Sequence, residues 1–346
     1  MQGSHLKLAA GFESSSKASS SQRRIQRFMA DYAPEIDLTA AITFKMIPDQ
    51  APYRLALDRT NWKFGETNIN ILALAVVYDG ISFPIIFTML DKQGNSHTDE
   101  RIALIKRFIA FFGKDKINSI LGDREFVGSA WIAYLNANKI GYYLRIKESY
   151  YVLDLRTGQQ VKARRKFEDL QLGECRILDR KHFVNGPPCY LSASKVKNKE
   201  GKIELQIIIC FREPEKAKQR YKQRWQIETT FKVLKSSGFN IEDTHLTDLD
   251  RFEKLLSIVL VAFAWAFVVG VHAHQNGQPI RKFKHGHRAK SFVKHGLEII
   301  SNILLNPYVK IKYDVFIFCH VIRATNIIIC CGVRLLKLPK KKKQNN

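Results

Sequence analysis

From Tyr53 to Leu90 the apolar residues come in three runs separated by short polar breaks. YRLALDRT, Tyr53 to Thr60, alternates as a strand does and ends in Asp58. INILALAVVYDG reads as a buried strand closing in a Tyr-Asp-Gly turn, and ISFPIIFTML as its partner, so the three predict an antiparallel meander. The period then changes. DERIALIKRFIAFFG places Leu104, Ile105, Phe108, Ile109 and Phe112 at helical spacing and stops at Gly113. INSILGDREF predicts a short strand with Asp123 just past its end, GSAWIAYLNANKI a helix, and GYYLRIKES a fifth strand. From about Ser149 to Cys210 short alternating stretches are broken by turns such as DLRTGQQ, FVNGPP and NKEGK, a β-rich insertion before helix resumes at Pro214.

The next helix, YKQRWQIETTFKVLK from Tyr221 to Lys235, has an ordered polar stripe. At about 100° per residue Tyr221, Arg224, Glu228 and Lys235 fall near 0°, 300°, 340° and 320°, within a band about 60° wide. Ile227, Phe231 and Leu234 occupy the adjoining flank, which leaves Glu228 aimed at whatever lies alongside. On its own such a stripe reads equally as a solvated face with an Arg224 to Glu228 pair. The element order βββαβαβ is similar to that of the ribonuclease-H-like fold, in which the first and fourth strands are neighbours. The fold class expected is therefore α/β, with further helices and a β-rich insertion between the second Asp and the Glu. In that arrangement Asp58 and Asp123 are neighbours, and the Glu228 helix closes the core.

Charge narrows the partner. The 346 residues carry 56 Lys and Arg against 32 Asp and Glu, a formal charge of +24, and such an excess favours a polyanion. Nucleic acid comes first and an anionic membrane surface second. Six cysteines show neither a CxxC pair nor a zinc-ligand rhythm, so a reducing cytoplasm is expected, and the N-terminus lacks the pattern of an export signal. LLSIVLVAFAWAFVVGV, Leu255 to Val271, is at the lower length limit for a membrane span, and a buried core helix is the expectation.

Three carboxylates from two strand ends and a helix, with no His or Cys, form an oxygen donor set suited to two Mg²⁺ ions, with Mn²⁺ as a substitute. Tyr221, Arg224, Glu228 and Lys235, at intervals of three, four and seven, together with LALDRTNWKFG around Asp58 and LGDREFVG around Asp123, resemble the signature blocks of a DDE transposase. The resemblance is to the insertion-sequence type with a Y-R-E-K signature (insertion-sequence family four) and covers roughly Pro52 to Val271. It implies that Asp58, Asp123 and Glu228 are catalytic and hold the metal ions. It also implies double-stranded DNA, both transposon ends and target, as partner, a homodimer that brings two ends together, no small-molecule substrate and a cytoplasmic, nucleoid-associated place of action. The implied reaction is cleavage at the element ends and joining of the 3′-hydroxyls to target DNA, with a hairpin route in relatives that carry a β insertion. The alternative is a defective DNA-binding or dimerising remnant that interferes with a full-length form.

Candidate DNA-binding residues are Tyr221, Arg224, Lys232 and Lys235 on the Glu228 helix, Arg124 beside Asp123, Trp62, Arg164 and Arg165 in the insertion, and Arg23, Arg24 and Arg27 near the N-terminus. Trp62 and Trp225 serve equally well as core residues or as acceptors of a displaced base. The run Lys216, Lys218, Arg220 and Lys222 leads into the helix and suits a phosphate backbone. SSSKASSSQRRIQRFMADY resembles the last helix of a helix-turn-helix, with too little chain before it for a whole domain, so truncation is expected. His272, His274, His285 and His287 form an HxH…HxH pattern that reads as a polar loop or a transition-metal site. The expected division is a partial helical DNA-binding region (1–48), a catalytic domain in two parts (49–147 and 212–272), the insertion (148–211), and a C-terminal helical region with a basic tail (273–346).

Overall fold

The structure is a computed structural model and describes residues 17–305 apart from 33–34, 155–156, 199 and 237. The lysines 340–343 and the apolar run from Val315 to Cys331 lie outside the described residues. Two helices, α1 (Ala18–Asp31) and α2 (Ile36–Met46), precede the first strand. The meander follows as β1 (Tyr53–Phe64), β2 (Thr67–Tyr78) and β3 (Ile81–Met89), all antiparallel. Then come α3 (Thr98–Phe112), β4 (Ile117–Gly122), α4 (Ser129–Ala137) and β5 (Gly141–Ile146). The sheet order is β3-β2-β1-β4-β5, with the expected neighbourhood of the first and fourth strands, and β4 is parallel to β1 and to β5.

One correction concerns β1. It does not end at Asp58 but runs to Phe64, because the hairpin with β2 continues to the pair Phe64 and Thr67. What ends there is the pairing with β4, whose last partners are Leu57 and Gly122. Asp58 and Asp123 are each the next residue beyond that pair. A Cβ on Gly122 would lie 2.9 Å from the Leu144 side chain and 3.1 Å from Phe126 Cβ, so glycine is what permits the close turn into Asp123.

The insertion continues the same sheet. Short strands β6 (Tyr151–Leu153), β7 (Gln160–Lys162), β8 (Cys175–Ile177) and β9 (His182–Val184) lead to the long hairpin of β10 (Pro188–Lys197) and β11 (Ile203–Cys210). Strand β11 pairs antiparallel with β5, Ile207 opposite Ile146, so the insertion extends the sheet from its β5 edge rather than forming a detached unit.

The expected helix from Tyr221 to Lys235 is two: α5 (Ala217–Lys222) and α6 (Trp225–Lys235). Gln223 and Arg224 keep right-handed helical angles. The hydrogen bonds there tighten to three-residue spacing, from Gln223 N to Arg220 O, Arg224 N to Tyr221 O and Ile227 N to Arg224 O. Such a link turns about 120° per residue instead of 100°, which moves Tyr221 round relative to Glu228. Helix α6 buries Ile227, Phe231 and Leu234, the flank expected.

Helix α7 (Leu249–Gln275) is capped by the Asp248 side chain, which accepts from Arg251 N at 3.0 Å. It is long and apolar enough to cross a membrane, and half of its most apolar stretch is buried inside the fold, against β3, α2 and α8 (Phe292–Leu305). The crossing of α7 and α8 brings backbone against backbone. A Cβ on Gly270 would lie 1.9 Å from Phe292 O, and one on Gly296 would lie 1.8 Å from Ala266 O. Either Gly270→Ala or Gly296→Ala forces the helices apart, so each is expected to cost about 1–3 kcal/mol, read as a lower urea midpoint at unchanged slope.

Candidate active site

Register explains how the carboxylates meet. Asp58 pairs with Ala73 and Thr60 with Ile71, and paired residues in an antiparallel ladder share a face. Thr60, Ile71, Ala73, Phe231 and Leu234 line one small apolar gap with Leu256 and Leu260, so Asp58 is on the face covered by α6 and α7. Helix α6 is fixed there by a buried polar junction: Thr230 Oγ1 donates to Ser82 O at 2.8 Å and accepts from Ser82 N at 3.2 Å. Glu228 is two residues away on the same helix, at its partly exposed rim.

The three carboxylates are joined through the residues of the polar stripe. Arg224 is almost fully buried; its Nη1 stands 3.3 Å from Asp58 Oδ2 and its Nη2 2.6 Å from Glu228 Oε1. Tyr221 Oη donates to Asp123 Oδ1 at 3.1 Å. Arg224 also stacks between Tyr221 and Trp225, with centroid distances of 5.7 and 5.5 Å. Its Nε is buried with no hydrogen-bond partner among the described residues. Lys235 ion-pairs with Glu242 at 2.7 Å and caps the Trp62 ring at 4.9 Å. Trp62 packs edge-on against Phe252 of α7 at 5.5 Å, which gives it a core role.

The electrostatics follow from this crowding. Burial pushes Asp58 up from 3.8 to about 6; Arg224 and the Arg59 N–H oppose that, and the negative charges of Glu228 and Asp123 add to it. Burial also pushes Asp123 up, but Arg224, the Arg124 N–H, the Tyr221 hydroxyl and Arg145 together hold it below the usual carboxylate range. Burial drives the Tyr221 phenol up to about 12, so it remains a donor at neutral pH. For Arg224 burial works against the charge, and Tyr221, Asp58, Asp123 and Glu228 outweigh it, so its pKa lies above the ordinary value.

Two aspartates and a glutamate supply hard oxygen donors of the kind that fit a divalent cation. Among the described residues no three His, Cys, Asp or Glu side chains stand close enough to hold one together, and Glu228 is paired with Arg224. That finding also covers the histidine pattern. The His285 and His287 rings are tilted against each other at 5.1 Å, and His274 accepts from Ile280 N at 2.8 Å.

The remaining candidates are spread out. Arg124 and Lys232 are exposed near the site, on the turn after β4 and on α6. Arg164 and Arg165 are exposed on a short turn after β7. Arg23, Arg24 and Arg27 lie on the exposed side of α1. In the approach to α5, Lys218 and Lys222 are exposed, whereas Arg220 is committed to Glu213 at 2.7 Å and the Tyr143 hydroxyl at 3.0 Å. Sequence reasoning overlooked Arg145, at the inner end of β5, which pairs with Glu204 at 3.0 Å and lowers Asp123. The available signal was a charged residue inside an otherwise apolar strand.

A family model described as the transposase DDE domain matches residues 49–265, more than half of the chain. The chain belongs to that family, whose activity is DNA transposition. No curated protein matches it in sequence.

The raised Asp58 makes stability depend on pH in a definite direction. Its neutral form is favoured in the folded chain, so the contribution is complete below about pH 4 and is lost as pH rises through about 6. Measured by urea unfolding in EDTA, the native chain is expected to lose on the order of 3 kcal/mol relative to Asp58→Asn between pH 4 and 7. A difference that stays flat across that range contradicts the assignment.

Proposed function

We propose that this chain is an insertion-sequence transposase of the Y-R-E-K type with a ribonuclease-H-like catalytic core, cutting element ends and joining their 3′-hydroxyls to target DNA. The observation that carries the reading is that Arg224 joins Asp58 to Glu228 while Tyr221, in the adjoining helix, holds Asp123. Family membership supports it independently. The substrate is double-stranded DNA, whose two ends are brought together by a homodimer, and the chain acts in the cytoplasm. The hairpin route accords with a β insertion between Asp123 and Glu228.

Asp58, Asp123 and Glu228 are the residues that would hold two Mg²⁺ ions, or Mn²⁺ in their place. Bound there, such ions polarise the scissile phosphodiester and acidify the attacking hydroxyl, first of water and then of the freed 3′ end. Asp123 is ready as a ligand at neutral pH, because the surrounding cations and the Tyr221 hydroxyl keep it ionised. Asp58, raised by burial, would be held ionised by the charge of a bound cation. Glu228, on the partly exposed rim, would have to leave Arg224 in order to hold an ion, and the guanidinium would then be free to face a phosphate. Lys232 and Arg124 are exposed beside the site and suit a DNA backbone.

The test is cleavage of a labelled duplex bearing the element's terminal repeat, with Mg²⁺ or Mn²⁺. The expected result is metal-dependent nicking at the repeat boundary, reduced more than about a hundredfold in Glu228→Gln with DNA binding retained, a larger loss than removal of an outer-shell partner causes. Binding without cleavage in the native chain would favour the remnant that only grips DNA.

A further inference from the structure

The ladder between β1 and β4 stops at Leu57 and Gly122, so Asp58 and Asp123 are not themselves paired in the sheet. One residue beyond Asp58, and on the opposite face of β1, stands Arg59, and two residues beyond Asp123 stands Glu125. Arg59 Nε donates to Glu125 Oε1 at 2.8 Å and Nη2 to Oε2 at 3.4 Å, a two-pronged pair that is mostly buried. The other donors of the guanidinium are also used: Nη1 reaches Asn70 Oδ1 at 3.0 Å and Asn61 Oδ1 at 3.4 Å, and Nη2 reaches Asn95 Oδ1 at 3.4 Å.

The pair is anchored in turn. Asn70 is fully buried and donates to Lys92 O at 2.9 Å and Gly94 O at 3.2 Å. Glu125 accepts from Ser96 N at 3.4 Å, and Ser96 is gripped by buried Arg101, which lies over the Phe126 ring at 5.3 Å. The loop before α3, strand β2 and the turn after β4 are therefore tied to one guanidinium. Because Arg59 points away from Asp58, it has no access to a ligand held by the carboxylates.

We infer that Arg59 and Glu125 are positioning residues, a clasp on the far face of the sheet that sets the spacing of Asp58 and Asp123 where the strand pairing has ended. The inference rests on the transposase reading for the ion that those carboxylates hold. Both side chains act through the backbone of their neighbours, one step removed from the outer-shell partners that touch a metal ligand, whose loss typically lowers metal affinity or activity about 10–100-fold. An unrelated ion pair of equal burial has no reason to act on metal affinity at all.

The experiment is a Mn²⁺ titration of the full chain followed by electron paramagnetic resonance, with DNA binding measured in EDTA and cleavage measured in parallel. It compares the native chain with Arg59→Lys, Glu125→Gln and the exchanged pair Arg59→Glu with Glu125→Arg. Val152→Ala, a buried truncation in β6, serves as a control for destabilisation alone. The expected result is a 10–100-fold weaker Mn²⁺ affinity in both single variants, partial recovery in the exchanged pair, unchanged DNA binding in EDTA, and native Mn²⁺ affinity in Val152→Ala. Native Mn²⁺ affinity in Arg59→Lys and Glu125→Gln overturns the clasp, as does a matching loss in Val152→Ala or a loss of DNA binding in EDTA. Absence of Mn²⁺ binding in the native chain overturns the transposase reading itself, a different outcome from failure of the clasp.

Discussion

The arrangement of the site depends on one buried cation. Arg224 stands between Asp58 of the first strand and Glu228 of its own chain segment, and its field also reaches Asp123. A guanidinium held this far from water is costly unless its partners are charged, and partners held this close to each other are costly unless a cation divides them. Each side of the cluster therefore requires the other. Elements separated by more than a hundred and sixty residues of chain are brought to one point by that requirement.

The requirement also explains the shape of the α5 and α6 segment. A continuous helix would have placed Tyr221 and Arg224 on one stripe with Glu228. The tightened turn at Gln223 and Arg224 instead sends the Tyr221 hydroxyl to Asp123 and the guanidinium to Asp58, while Thr230 and Ser82 hold the rest of α6 on β3. Residues that a sequence motif presents as a row thus act as struts between separate strands. Their buried polar contacts make the cluster specific in geometry, and its hard oxygen donors make it receptive to a divalent cation.

Much of this was legible in the sequence because it rests on local periodicity. The alternation in Tyr53 to Thr60, the apolar run of β2 and the helical spacing of Leu104, Ile105 and Phe108 placed the meander and α3, and Asp123 fell just past β4 as expected. What was not legible depends on partners distant in the chain. That β1 outlasts its pairing with β4, that Arg220 is spent on Glu213 and Tyr143, and that Trp62 is taken up by Phe252 and Lys235 are facts about neighbours no spacing reveals. The union of β11 with β5 belongs to the same class: turns mark an insertion, but nothing local says which edge it will extend.

Whether the carboxylates around Arg224 form a cation site for phosphodiester chemistry is read from the anomalous scattering of Mn²⁺ in crystals grown above pH 7 with the ion present. The expected peak is bonded to carboxylate oxygens of both Asp58 and Asp123, with Glu228 withdrawn from Arg224. Ordered Mn²⁺ elsewhere in the crystal, with Arg224 still holding Asp58 and Glu228 and no peak between the two aspartates, would contradict such a site.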